Sequence, residues 1–313
     1  MNVLVTGATG FVGRRLVHDL LDKAIKVRIL RQGLLPIPEG WMSKTDIRDG
    51  DLTRPASLTG IAEGIHTVFH LAGEIREPRL FDVVNRIGTE NLLKVSQNEG
   101  VQRFLCLSSV GVMGAAGRPG IVNEQNPANP RNAYEKSKYE GERIAFRYYK
   151  NESLNITVLR PSIIYGEGKE PRSDHFLSLV RSVNAGHFML LGEKYVNSYI
   201  YVGDVVAAAI MLADHPNSGG ETYIINEPIP LREFVDEITR NLNKKRVPAL
   251  PPLIGHSCAE MLRLTGRFGS LYNKTSFSMD KLNQIGFKLP FGYREGLRRT
   301  ISSYLSFLPT KVQ

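Results

Sequence analysis

A short apolar run at the start of the chain leads straight into a glycine cluster and then into a helical pattern. Val3-Leu-Val-Thr6 has the length and composition of a buried strand, and Gly7-Ala-Thr-Gly10-Phe-Val-Gly13 follows without a spacer. From Phe11 to Lys23 the apolar residues recur at helical spacing. Glycines in this order permit a tight turn, let the backbone approach a pyrophosphate, and let the helix pack close to the strand. The helix start then aims unpaired N–H groups and a partial positive charge at the phosphates. Gly7, Thr9, Gly10, Phe11, Val12 and Gly13 are therefore the candidate phosphate-binding residues. A plain structural turn is the weaker reading, because the motif stands between a strand and a helix as phosphate binding requires.

The first half of the chain keeps the strand and helix alternation of a parallel sheet with crossover helices. Strand-like segments lie at Lys26–Arg31, Thr67–Leu71, Phe104–Ser109 and Ile156–Arg160, and helix-like ones at Phe81–Asn98 and Tyr134–Tyr149. Gly114–Asn132 reads as a loop, and Pro161 stops the last strand. Beyond it, prolines break the chain into shorter elements. The expected class is α/β, a Rossmann-type doubly wound parallel sheet over residues 1–165 with a smaller, discontinuous mixed α/β cap over 166–313. Tyr199–Val202 and Thr222–Ile225, near 195–226, are expected to return as strands to the main sheet.

Hydrophobic residues at 42% and charged residues at 23% of the 313 support an ordinary globular core rather than disorder. The apolar runs are too short to span a bilayer, and the start lacks a signal peptide's pattern. With only Cys106 and Cys258 no disulfide framework is expected, and a reducing, cytoplasmic setting fits. No metal is expected. The net charge of +9 is localised: residues 244–313 hold twelve Lys or Arg against Glu260, Asp280 and Glu295, so the whole excess lies there. These basic residues are interleaved with Pro, Gly and apolar residues and form no nucleic-acid module, so no nucleic-acid partner is expected. A solvated face, an anionic membrane surface or a substrate diphosphate remain as readings.

The second strand ends in Arg31, followed by Gln32, where an NAD-selective site usually carries an acid. A guanidinium pairs with a 2′-phosphate that a carboxylate would repel, so NADP(H) is favoured over NAD, with Arg14 as a second cation. The competing reading is that Arg31 only caps the strand in solvent.

Tyr134-Glu-Lys-Ser-Lys138 puts a phenol and an ammonium on one helical face. A phenol near pKa 10 is a poor base at neutral pH, and neighbouring positive charge stabilises its anion. Ser109, at the end of the preceding strand, adds a hydroxyl at the carboxyl edge where open α/β sheets bind ligands.

Together these segments resemble the extended short-chain dehydrogenase/reductase family, whose branch is called the NAD-dependent epimerase/dehydratase family. The resemblance rests on Thr6-Gly-Ala-Thr-Gly-Phe-Val-Gly13, Gly50-Asp-Leu52, His70-Leu-Ala-Gly73, Asn85-Arg-Ile-Gly-Thr-Glu-Asn91, Leu107-Ser-Ser-Val-Gly-Val-Met-Gly114, Tyr134-Glu-Lys-Ser-Lys138 and Leu159-Arg-Pro-Ser-Ile-Ile-Tyr-Gly166. Tyr199-Ile-Tyr-Val-Gly-Asp204 extends it. It implies an NAD(P) site and catalysis by Ser109, Tyr134 and Lys138. Tyr134 is then the general acid/base and Lys138 holds the nicotinamide ribose. Ser109 hydrogen-bonds the substrate oxygen, with Ser108 as its competitor. The resemblance also implies Asp51 and Leu52 at the adenine, and Leu71, Ala72 and Gly73 along the phosphates and ribose. Asn85 helps position the cofactor, Pro161 and Ser162 lie near the nicotinamide, and a homodimer forms through helices near the Tyr-Lys segment.

Departures from the family pattern narrow the reaction. Val110-Gly111 follow Ser109 where dehydratases carry Asp-Glu, which disfavours dehydration. Arg31 departs from the acid of UDP-sugar 4-epimerases, and Asn197-Ser198 stand where many members carry a diphosphate-binding Arg. Asn197, Arg267 and Lys274 are the candidate substrate contacts. The leading expectation is an oxidoreductase acting on a sugar nucleotide, as 4-epimerase or 4-keto reductase. The alternative is an NADP(H)-dependent reductase or dehydrogenase of a steroid-, flavonoid- or aldehyde-like compound, with 247–254 and 259–264 lining an apolar pocket. A non-catalytic dinucleotide-binding protein is the remote third, since Ser109, Tyr134 and Lys138 are all present.

Overall fold

The computed structural model describes residues 1–33, 36–114, 120–151, 154–168, 175–192, 195–251, 255, 258 and 275–307. Its elements in chain order are β1 (Asn2–Thr6), α1 (Phe11–Asp22), β2 (Lys26–Arg31), β3 (Thr45–Asp49), β4 (Thr67–His70), α2 (Gly88–Asn98), β5 (Arg103–Leu107), β6 (Gly120–Val122), α3 (Ala133–Asn151) and β7 (Asn155–Pro161). There follow β8 (Ile163–Tyr165), α4 (His175–Asn184), β9 (Val196–Tyr201), α5 (Val202–Asp214), β10 (Glu221–Ile225), β11 (Glu227–Pro230), α6 (Leu231–Asn241), β12 (Thr275–Phe277), α7 (Asp280–Gln284) and α8 (Gly292–Ser306).

The described residues form two compact units. The first comprises Met1–Gly114, Glu124–Pro161 and Val206–Ile224. Its seven-stranded sheet runs β10-β7-β5-β4-β1-β2-β3. The β1–β2, β2–β3, β1–β4, β4–β5 and β5–β7 pairs are all parallel. The chain winds outward from β1 through β2 to β3, then returns to β1's other side with β4, so the strand order reverses between β1 and β4. Ligands of doubly wound sheets bind at the carboxyl ends of such a pair. Strand interiors such as Val3-Leu-Val5 and Val68-Phe69 are fully buried, as strands covered on both faces require. One core joins Leu4, Val68, Phe104 and Ile156 of the sheet to Leu92 and Leu93 of α2 and Ile144 and Ala145 of α3. The helix α1 buries Leu16, Val17 and Leu20.

The second unit gathers the described residues of Ala115–Asn123, Ser162–Val205 and Ile225–Gln313. A three-stranded sheet, β11-β9-β8, has β11 antiparallel and β8 parallel to β9, while β12 pairs with β6. Buried rings pack together here: Tyr199 stacks on Phe234 with centroids 5.6 Å apart, and Tyr165 meets Phe176 at 4.8 Å. The terminal acid of the Tyr199–Asp204 segment is fully buried, and its two carboxylate oxygens accept the Phe291 and Gly292 N–H groups at 2.9 and 3.1 Å. It thereby satisfies donors at the start of α8 that a helix leaves open.

Strand β10 joins the main sheet as expected from Thr222–Ile225, but β9 belongs to the three-stranded sheet, and Val202 already begins α5. Strand β3, Thr-Asp-Ile-Arg-Asp, carries no apolar alternation because it is a half-exposed edge strand. Among the described residues no helix is long and apolar enough to cross a membrane, and no group of three His, Cys, Asp or Glu is arranged to hold a metal. Cys106 is buried and reduced, its thiol pushed up to about 11 by desolvation.

Candidate active site

At the reversal between β1 and β4 the glycine turn meets the end of β4. Gly7 has φ +69°, and a Cβ there would stand 2.6 Å from the Ala72 nitrogen and 2.8 Å from the Leu71 carbonyl carbon. Gly13 lies so close beneath the turn that a Cβ would fall 2.1 Å from the Gly7 oxygen. Backbone is thus packed against backbone where phosphates need to come near. The helix α1 starts from Gly10 with no side-chain cap and no acid in its first turn, an end left to backbone donors and suited to an anion. These features fit a dinucleotide pyrophosphate.

Beneath the turn lies a chain of hydrogen bonds whose donors can be assigned. Thr89 Oγ1 donates to the Asn85 carbonyl at 2.7 Å, so it accepts from His70 Nε2–H at 2.9 Å. His70 Nδ1 therefore accepts from Thr6 Oγ1 at 2.8 Å, and Thr6 Oγ1 in turn accepts the Ala72 N–H at 3.3 Å. His70 is 1% exposed; burial and the Lys138 charge hold its pKa down at about 3, so the ring is neutral. This network joins β1, the β4 end and the helical segment that carries Asn85.

Asn85 lies in a π-helical stretch, Asp82–Ile87, that leads into α2. Its side chain accepts from the Glu74 N–H at 2.8 Å and donates to the Glu74 carbonyl at 3.0 Å and to Ser137 Oγ at 2.9 Å. Asn85 thus ties the Leu71–Glu74 loop to α3.

The start of α3 is fixed locally. Asn132 Oδ1 accepts the Glu135 N–H at 2.8 Å, and Glu135 Oε2 reaches back to the Arg131 N–H at 2.7 Å, an arrangement close to a capping box. One turn inside, the Ser137 hydroxyl donates to the Tyr134 carbonyl at 2.7 Å, and the Tyr134 ring packs edge-on against Phe81, centroids 5.7 Å apart. Lys138 Nζ donates to the Leu107 carbonyl at the end of β5, 2.6 Å away, and a Cβ on Gly73 would come within 3.7 Å of it. Further along α3, Glu142 holds Arg160 of β7 in a buried two-point ion pair, with contacts of 2.9 and 2.5 Å. Ser109, two residues past Leu107, is half-buried, and its Oγ accepts the Gly111 N–H at 3.0 Å. Ser108 is buried, with its Oγ lacking any hydrogen-bond partner. The carboxyl end of β5 thus receives the Lys138 ammonium and leads into Ser109, while Tyr134 stands one helical turn before Lys138 on α3.

The structure brings Gly7–Gly13, Leu71–Gly73, Asn85, Ser109, Tyr134 and Lys138 into the first unit, with Pro161 at the end of β7. Asp51 accepts from the Thr53 N–H and hydroxyl, both at 2.8 Å, and the Leu52 carbonyl accepts from Asn91 at 2.8 Å. Ser162 and Asn197 belong to the second unit and are buried. Asn197 Oδ1 accepts the Tyr199 N–H, whereas its Nδ2 and the Ser162 Oγ are without partners. Arg267, Lys274 and the 259–264 segment lie outside the described residues.

Arg31, read from sequence as a partner for a 2′-phosphate, forms a two-point ion pair with Asp49, Nε to Oδ1 at 2.6 Å and Nη2 to Oδ2 at 2.9 Å. Arg14 donates to the Thr9 carbonyl at 2.9 Å. Sequence reasoning assigned no role to Asp49 or to the His70 network. The signal for His70 lay in its place in His70-Leu-Ala-Gly73; Asp49 sits on the strand whose pattern is illegible.

A match to the family model described as "NAD dependent epimerase/dehydratase family" spans residues 3–226. The chain belongs to that family and is an NAD(P)-dependent enzyme of the epimerase and oxidoreductase type. It is similar to the N-acetyl-alpha-D-glucosaminyl-diphospho-ditrans,octacis-undecaprenol 4-epimerase of Escherichia coli O157:H7, 29% identical over 96% of this chain and 94% of that one. It is 30% identical to the 3 beta-hydroxysteroid dehydrogenase/Delta 5→4-isomerase of Mycobacterium tuberculosis, over 97% and 90% of the two chains. Its fold matches that of the Thermus thermophilus UDP-glucose 4-epimerase in complex with NAD at a TM-score of 0.76, 24% identity, covering 98% of this chain and 100% of that one.

Proposed function

We propose that this chain is a 4-epimerase of a sugar carried on a diphosphate. The observation that carries the reading is the β5 edge, where Lys138 is bonded to the Leu107 carbonyl, Ser109 follows two residues later, and Tyr134 stands one helical turn before Lys138. A bound nicotinamide dinucleotide would supply the hydride acceptor and donor. The residues to hold it are Gly7–Gly13 at the pyrophosphate, Asp51 and Leu52 at the adenine, and Leu71–Gly73 with Lys138 at the ribose. Tyr134 takes the proton from the sugar hydroxyl and returns it after the sugar has turned its other face. Ser109, whose Oγ accepts from Gly111, keeps its own proton to donate to the same oxygen. Dehydration is not part of this reading, since Val110 and Gly111, which directly follow Ser109, supply no carboxylate or other proton donor. Asn197 and Ser198, at the stretch where many family members carry a diphosphate-binding Arg, are buried and uncharged, which favours a second reading, oxidation of an apolar alcohol as in the steroid dehydrogenase relative.

The test is to incubate the purified chain with UDP-glucose or UDP-N-acetylglucosamine and follow C4 configuration by proton NMR. Epimer formation without net consumption of added cofactor, abolished in Tyr134→Phe, is the expected result. Reduction of added NAD or NADP by a 3β-hydroxysteroid, with no epimer formed, would replace the proposal by the second reading.

A further inference from the structure

The carboxyl end of β2 is where doubly wound folds read the 2′ position of the adenosine ribose, through an acid for a hydroxyl or a cation for a phosphate. In this chain that end carries Arg31, and the neighbouring strand decides what Arg31 can do. In the parallel β2–β3 pair Arg31 is the direct register partner of Asp49, as Arg28 is of Asp46. Both edge nitrogens of the Arg31 fork are taken by the two Asp49 oxygens. That planar fork is the geometry by which guanidinium recognises a phosphate.

The surrounding charges point the same way. Asp49 is held ionised by Arg31, and Asp51, two residues on, is held below the usual carboxylate range by bonds from Thr53 and Gln32. Arg14, the other candidate cation, is bonded to the Thr9 carbonyl. Arg54 approaches Asp51 with its Nε 3.9 Å from Oδ2. An exposed ion pair is weak and a phosphate could open it. Asp49 would nevertheless remain beside that phosphate with its charge intact, and like charges at contact range oppose binding. A 2′-hydroxyl meets no such opposition, since it can donate to a carboxylate.

We propose that Asp49 is the residue that sets the dinucleotide preference, closing Arg31 against a 2′-phosphate and making the site selective for NAD. The strand β3 supplies the carboxylate that β2 lacks. This rests on the dinucleotide site described above and reverses the NADP(H) preference that Arg31 alone suggests.

The test is equilibrium dialysis of the full chain against an equimolar mixture of NAD and NADP, with all bound dinucleotide, including any that copurifies, released by denaturation and separated by chromatography. The wild type is expected to hold NAD over NADP by at least tenfold. Asp49→Asn and Asp49→Ser should each move the ratio at least tenfold toward NADP, and adding Arg31→Ala to either should cancel the gain. A wild type holding NADP as well as NAD, or a ratio unchanged in both Asp49 variants, overturns the assignment to Asp49 while leaving the dinucleotide site standing. Retention of neither dinucleotide by any variant overturns the site itself and this proposal with it.

Discussion

Ser108 and Ser109 are chemically identical neighbours at a strand end, and only their surroundings rank them. The Ser108 hydroxyl oxygen is enclosed with no partner, whereas the Ser109 oxygen accepts the Gly111 N–H, which fixes its rotamer and leaves its proton to give away. A donor placed on a reacting oxygen is worth about 10²–10³-fold in turnover. Ser109→Ala is therefore expected to lower kcat by about 10²-fold with KM little changed, and Ser108→Ala by less than about threefold. Steady-state kinetics of the two variants decide the matter, and the opposite ranking would transfer the role to Ser108. At this scale the glycine turn, Ser109, Tyr134 and Lys138 were legible because each is a residue type at a fixed offset from a strand or helix end. The pairing of Arg31 with Asp49 was not, since it depends on a cross-strand register that no local pattern encodes.

The elements that carry these residues are held at chosen distances by small groups and buried pairs. The helix α3 lies close to the π-helical stretch because Gly141 faces it: a Cβ there would stand 2.7 Å from the Asn85 carbonyl oxygen and 3.6 Å from Thr89 Oγ1. That carbonyl accepts from Thr89, which closes the His70 network. Helix propensity alone would make Gly141→Ala stabilising by up to about 1 kcal/mol. The close contact predicts the reverse, a loss of about 1–3 kcal/mol from overpacking. Urea denaturation of the variant reads the sign, and a gain in stability would show that the two elements are free to separate. Residues 81–98 read from sequence as one uniform helix because apolar spacing cannot distinguish a π turn from an α turn; the difference is set by contacts with Gly141, Ser137 and Glu74. Strand β3 escaped notice for a related reason: a half-exposed edge strand of Thr, Asp and Arg carries no burial pattern.

Across the whole molecule two buried titrations act in opposite directions, one in each unit. His70, in the first, has its pKa held down from 6.5 to about 3 by desolvation and the Lys138 charge. The unfolded chain then binds more protons than the folded one as pH falls below 6.5, so this unit loses stability on acidification. Glu227, in the second, is raised from 4.5 to about 7 by desolvation and by Asp204, against a lowering bond from the Tyr293 N–H. The folded state there binds the extra proton between pH 4.5 and 7, so its stabilising effect is complete below 4.5 and is lost as pH rises through 7. One pKa unit corresponds to about 1.4 kcal/mol. Between pH 6.5 and 5, His70 therefore removes about 2 kcal/mol, and half-buried Glu227, after allowance for solvent screening, returns about 1–2 kcal/mol. Asp46, Asp49, Asp51, Glu74, Asp82 and Glu295 are held below their ordinary values and exert their effect under about pH 4.5, outside this window. Where both units unfold in one cooperative transition, wild-type stability should accordingly change little from pH 6.5 to 5. Glu227→Gln should expose the His70 slope and lose about 2 kcal/mol over that interval, whereas His70→Gln should expose the Glu227 slope and gain. Urea midpoints measured at half-unit pH steps test both variants by slope alone, so any uniform cost of either substitution drops out. A flat profile for Glu227→Gln would mean that His70 is not kept neutral beneath Lys138, and a flat profile for His70→Gln would remove Glu227 as the opposing group.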